Sequence, residues 1–150
     1  MRIPLAVVLC AALGCARAES PPPAPPPEPE GVRAFLDGYF GSWSRGDMEA
    51  YRAHFLERAR IAFLGSDGLA WVMRLEPFVA SQRRAFEGPG PKPKERYLSF
   101  EADADERAAS VTVQWELTNT RGVSTGVDRF LLVRDFNGDW RIASLLFYER

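Results

Sequence analysis

Apolar side chains recur along this chain with two periods, and the change from one to the other near residue 94 divides its folded part. Val32, Phe35, Leu36, Tyr39, Phe40 and Trp43 follow the three-and-four spacing that forms one stripe of an α-helix. Gly46 suits the left-handed residue that ends such a helix. Asp47 suits the N-cap of a second helix, in which Met48, Tyr51 and Phe55 share a face. A short strand is expected over residues 60–64, with a turn at Gly65-Ser66-Asp67-Gly68. Glu76-Pro77 then opens a third helix carrying Phe78, Val79, Gln82 and Phe86, because proline is tolerated in the first helical turn.

Beyond the proline- and glycine-rich loop 88–93 the period falls to two. A short strand is expected over residues 96–102, then a polar turn at Asp103-Ala104-Asp105-Glu106. Val111, Val113, Trp115 and Leu117 next alternate with Thr112, Gln114, Glu116 and Thr118, giving one dry and one wet face. After a turn at residues 119–122, the stretch Val127 to Tyr148 reads as a hairpin about Asn137-Gly138, a pair that readily supplies the positive φ angles of a tight turn. Apolar residues on both parities of the last arm predict a strand covered on both faces, by helices or by a second subunit. Helices first and a strand meander afterwards make an α+β domain with an antiparallel sheet.

Composition narrows the function. A chain of 150 residues with 46% hydrophobic residues is long enough for one domain with a real core. From residue 31 onward acidic and basic side chains balance, so no basic field recruits nucleic acid. Arginine outnumbers lysine heavily, a bias to which genome composition contributes and which carries little functional weight.

The first thirty residues read as a targeting and spacing segment. Met1-Arg2 is a positive start, residues 5–13 form an apolar run too short for the roughly 20 residues that span a bilayer, and small residues follow. Two processing routes stay open. Ala12-Leu13-Gly14-Cys15 is similar to a bacterial lipobox, which implies a signal peptide over residues 1–14 and lipidation of Cys15. Ala16-Arg17-Ala18 fits ordinary signal cleavage, which implies a soluble exported protein. Residues 15–30 form a linker whose proline tract favours an extended helix of about 3 Å per residue. Cys10 and Cys15 both precede residue 31, so the domain over 31–150 holds no disulfide or cysteine metal site.

The run Tyr39-Phe40-Gly41-Ser42-Trp43-Ser44-Arg45-Gly46-Asp47, the aromatic-rich second helix, the Pro77-led third helix and the closing Gly138-Asp139-Trp140-Arg141-Ile142 together resemble the nuclear transport factor 2-like (NTF2-like) superfamily. The stretches Val127 to Val133 and Asn137 to Ile142 resemble its SnoaL-like and lumazine-binding branches. The resemblance covers residues 31–150. It implies a cone-shaped fold in which three N-terminal helices pack on a curved antiparallel sheet around one open, mostly apolar pocket, commonly in a homodimer joined through the sheets. Such folds carry enzymes and non-enzymes alike, so function rests on the pocket.

Within that superfamily the ketosteroid isomerase branch pairs a helix-one tyrosine with a protonated strand aspartate and a second, proton-moving aspartate, an arrangement that is a standard example of a carboxylic acid kept neutral to donate a hydrogen bond. Tyr39 and Asp128 match the first two by resemblance. The proton-moving position falls near Phe63, which cannot titrate, so isomerase activity is not expected. Pocket candidates are therefore Tyr39, Trp43, His54, Phe63, Trp71 and Asp128. Each has a plainer reading: Tyr39 as a core residue, Asp128 as the surface partner of Arg129, the tryptophans as core or interface residues. His54, the only histidine, makes neither a metal cluster nor a triad. Asp128 and Arg129 are adjacent on a strand and cannot both face the pocket. Nucleophile-elbow, phosphate-loop and zinc-protease motifs are absent, and no cofactor is expected. A cell-envelope module that binds a small apolar or aromatic molecule is favoured. A pocket enzyme using Tyr39 and Asp128, and a domain that presents its sheet to a protein partner, are the alternatives.

Overall fold

The computed structural model describes residues 29–150. The signal segment, Cys15 and most of the proline tract lie outside the described residues. Among the described residues three helices and six strands follow in the order α1 (Val32–Arg45), α2 (Met48–Ala53), β1 (Phe55–Leu64), β2 (Ala70–Arg74), α3 (Leu75–Arg84), β3 (Lys94–Ala104), β4 (Ala108–Asn119), β5 (Gly122–Arg134) and β6 (Trp140–Glu149). The strands form one sheet in the order β2-β1-β6-β5-β4-β3. Only β1 and β6 run parallel; every other pair is antiparallel. This is the α+β architecture expected of an NTF2-like cone.

The apolar stripe of α1 is buried along its length: Val32, Phe35, Leu36, Tyr39, Phe40 and Trp43 all join one core with the inner faces of β1 and β3 to β6. Gly46 ends the helix at φ 73°, and its N–H closes on the carbonyls of Ser42 and Trp43, a conformation that a side chain disfavours. Asp47 then caps α2, accepting the Ala50 N–H at 3.0 Å. The corner brings Tyr51 against Tyr39.

Four expectations are corrected. First, α2 stops at Ala53, and Phe55 opens β1 instead of extending the helix, because the Ile142 N–H bonds the His54 carbonyl at 2.8 Å and draws the chain into the sheet. Second, β1 is twice the expected length and is followed by β2, which no alternation announced: its side chains are mostly exposed, and backbone pairing to β1 holds it. Third, of the pair Asn137-Gly138 only Gly138 has positive φ. The turn is longer than a two-residue one, with Asp135 Oδ1 accepting the N–H groups of Asn137 and Asp139. Fourth, no helix covers the outer face of β6, and part of its two-parity pattern comes from a bulge. Leu132 pairs with Ile142 and Leu131 with Ser144, which leaves Ala143 as a bulge. The bulge switches parity, so Trp140 and Ile142 before it and Leu145 and Phe147 after it all reach the same core. All three helices lie on that inner side.

Candidate functional site

Between the helices and the inner sheet face lies a cavity of about 110 Å³. Its walls are Tyr39 and Trp43 of α1, Tyr51 of α2, Phe78 and Gln82 of α3, Phe63 of β1, Glu95 of β3, Trp115 and Leu117 of β4, Asp128 of β5, and Leu145, Phe147 and Glu149 of β6. Two hollows are larger but lie elsewhere. One of about 410 Å³ spreads over the outer sheet face around Arg60, Arg129 and Leu131, and one of about 330 Å³ follows the loop 88–93. Neither gathers buried titratable groups, which makes the smaller inner cavity the chemical site.

Local structure sets each polar group. The Tyr39 and Tyr51 hydroxyls hydrogen-bond at 2.8 Å, a contact made by the tight corner at Gly46-Asp47. Burial pushes both phenols well above their ordinary range, so both stay protonated. Glu95 is aimed by the end of α1. The Ser44 hydroxyl donates to the Glu95 carbonyl at 2.7 Å and accepts the Glu95 N–H at 2.8 Å, fixing the start of β3 against the helix. Trp43 Nε1 donates to Gln82 Oε1 at 3.0 Å and ties α1 to α3 beside the cavity.

Asp128 is 4% exposed and makes no hydrogen bond of good geometry among the described residues. Its inward neighbour on β5 is Gly126, where a Cβ would collide with the Trp115 ring and the Tyr148 carbonyl; glycine there leaves room for the indole to lie across the strand. The buried Trp115 Nε1–H has no partner, yet lies close enough to the Asp128 carboxyl to lower its pKa without reaching hydrogen-bond geometry. Burial outweighs that effect and raises Asp128 to about 7. Glu95 is raised as well, first by burial and then by the Asp128 charge. The two carboxyls titrate as a pair that resists full ionisation near neutral pH.

Of the six pocket candidates, Tyr39, Trp43, Phe63 and Asp128 line this cavity. Two do not. His54 lies behind α1, with Nδ1 donating to the Ala50 carbonyl at 2.8 Å and its ring against Phe35 and Gly38; burial lowers its pKa and keeps it neutral. Trp71 is 53% exposed and stacks on Phe63 from β2, outside the cavity. Asp128 faces inward and Arg129 outward, so the plainer reading of an Asp128–Arg129 surface pair does not hold. Sequence reasoning missed Tyr51, Phe78, Gln82, Glu95, Trp115, Phe147 and Glu149. The inward parity of Trp115 was legible in its strand; that of Glu95 was not, because its strand begins in a charged triplet after a loop.

A family profile described as "Putative lumazine-binding" matches residues 27–148. Among solved structures, an NTF2-like protein of unknown function from Shewanella baltica is 18% identical with a TM-score of 0.61, covering 80% of this chain and 91% of that one. A ketosteroid isomerase-like protein from Erwinia carotovora is 18% identical with a TM-score of 0.59, covering 81% and 98%. Aln2 from a Streptomyces species is 23% identical with a TM-score of 0.63, covering 82% and 93%. A comparison with curated proteins gives no match.

Proposed function

The chain belongs to the lumazine-binding-like family of NTF2-like domains, and on that footing we propose that it is a cell-envelope module that binds a small, largely apolar or aromatic molecule in its cone pocket. The observation that supports this is the convergence of Asp128, Glu95 and the Tyr39–Tyr51 pair on a cavity whose remaining wall is mostly aromatic and aliphatic. At about 110 Å³ the cavity is far below the roughly 300–1,000 Å³ of drug-sized sites. It takes one small ring or headgroup, with the rest of the molecule towards the mouth. A fused two-ring compound such as the lumazine of the family description would require the cavity to widen. In this reading Cys15 is lipidated and the proline spacer holds the domain off the membrane. Two copies pair through the outer sheet face.

Native mass spectrometry of the mature chain, purified gently from an exporting bacterial host, tests the pocket. A retained small molecule that is lost in Tyr39→Phe and Asp128→Asn variants, both still folded, is the expected outcome. Retention of every pocket ligand by both variants would remove these residues from the site.

A second reading, acid–base catalysis, gains from one finding. The position near Phe63 lacks a titratable group, but Glu95 brings a second carboxyl into the same cavity as Asp128. Turnover of an enolisable ketone that disappears in both Glu95→Gln and Asp128→Asn would favour it over binding alone.

A further inference from the structure

The chemistry of the cavity wall is more selective than a generic apolar pocket requires. Seven of its thirteen lining residues are aromatic, three are carboxylic acids (Glu95, Asp128 and Glu149), and none is lysine, arginine or histidine. Asp128 is buried with the Trp115 indole N–H as the only donor beside it, and that N–H has no other partner. A buried carboxyl held only for the fold is ordinarily matched by a guanidinium or by backbone N–H groups. Here no cationic side chain lines the cavity, and most of its wall is aromatic.

We propose that the cavity is a cation site, taking a small organic ammonium of about trimethylammonium size between the aromatic rings, with Asp128 and Glu95 as its counter-charges. This rests on the pocket-binding reading and specifies its ligand class. The negative faces of tyrosine, tryptophan and phenylalanine rings attract a poorly hydrated cation, and a quaternary ammonium suits them because it needs no hydrogen-bond acceptor. The size limits the ligand to one small group: a cavity of roughly 150 Å³ holds benzene, and this one, of about 110 Å³, has the exposed Glu149 in its lining. The titratable groups coupled to Asp128 are Tyr39 from α1, Tyr51 from α2 and Glu95 from β3; Glu149 of β6 also lines the cavity, and α3 and β4 contribute only Gln82, Phe78, Trp115 and Leu117. None of the lining side chains is a base that carries positive charge, so a bound cation favours ionisation of the Asp128–Glu95 pair and its arrival releases protons near neutral pH.

Choline and its neutral isostere 3,3-dimethyl-1-butanol differ in charge with almost no change in shape. Isothermal titration of the mature chain with each, at fixed ionic strength and in two buffers of different ionisation enthalpy, is the test. Choline is expected to bind at least ten-fold tighter than the alcohol and to release protons. Asp128→Asn and Glu95→Gln are each expected to cut choline affinity at least ten-fold while changing that for the alcohol less than two-fold, with unfolding midpoints as the folding control. Equal affinity for the alcohol and choline, or choline binding indifferent to both variants, overturns the cation site and leaves an apolar pocket standing. If neither probe binds while a neutral ligand is retained in native spectra, the cation site alone fails. If nothing binds at all, the pocket reading fails with it.

Discussion

At the scale of single residues, Asp128 carries the clearest consequence. Its folded pKa of about 7 lies above the roughly 3.9 of an unfolded aspartate, so the folded chain binds more protons between those values and stability falls as pH rises through that window. The stabilisation present below pH 4 is lost as pH passes 7, a change on the order of a few kcal/mol. Asp128→Asn removes that slope: denaturation between pH 4 and 8 should show a flatter profile than the parent and higher stability at pH 8. Gly126 is the second sensitive position. A methyl there meets the Trp115 ring and a rigid carbonyl, so Gly126→Ala should cost about 1–3 kcal/mol of overpacking and alter Trp115 fluorescence. Tyr39 and Asp128 were named from the sequence through their match to the family's helix-one tyrosine and strand aspartate, with Tyr39 also lying on the apolar stripe of α1. Glu95 was hidden, because the Ser44 hydroxyl that orients it is 51 residues away.

At the scale of elements, the sequence announced those that bury a periodic face and missed those held by the backbone alone. α1 and β4 bury regular stripes and were readable from them. β2 buries little and exists because its amides pair with β1, so no alternation marked it. The second helix was read two residues too long because Phe55 continues the apolar face even after the chain has turned into the sheet. Its true start was visible in Asp47. Asp47→Ala should lower stability by about 1 kcal/mol through the lost cap, measured by urea denaturation, while leaving the core intact. In β6 the bulge at Ala143 explains why apolar residues on both parities serve one face. Deleting Ala143 would make the pairings Leu132–Ile142 and Leu131–Ser144 consecutive, a regular ladder in which Leu145 and Phe147 keep their inward side and only the local bend is lost. That deletion variant should therefore still unfold cooperatively in calorimetry, at a cost of about 1–3 kcal/mol, and Ala143→Ser, which keeps the bulge, should stay within about 1 kcal/mol of the parent.

At the scale of the whole molecule, the outer face of the sheet poses a question that the monomer leaves standing. All three helices pack on the inner side, yet Leu131, 43% exposed, and the half-buried Leu146 and Tyr148 lie on the outer one. Pairing of two copies through this face must overcome the proximity of Arg60 and Arg129, which share it with no acidic residue lining the same hollow. A two-fold dimer brings these guanidinium groups near their counterparts, so repulsion opposes the apolar gain, and salt weakens the repulsion while leaving the apolar contact in place. A stable pair needs roughly 800 Å² buried on each copy, which requires most of the outer face rather than Leu131 alone. The expected outcome in sedimentation velocity is a dimer whose dissociation constant falls as sodium chloride rises from 50 to 500 mM, and a monomer throughout for Leu131→Glu. Glutamate at that position also supplies a partner for the arginines within its own copy, so the variant should remain folded, and its pocket affinities should match those of the parent. A monomeric parent at every salt concentration would remove the second copy as the cover of this face and leave the inner cavity unaffected.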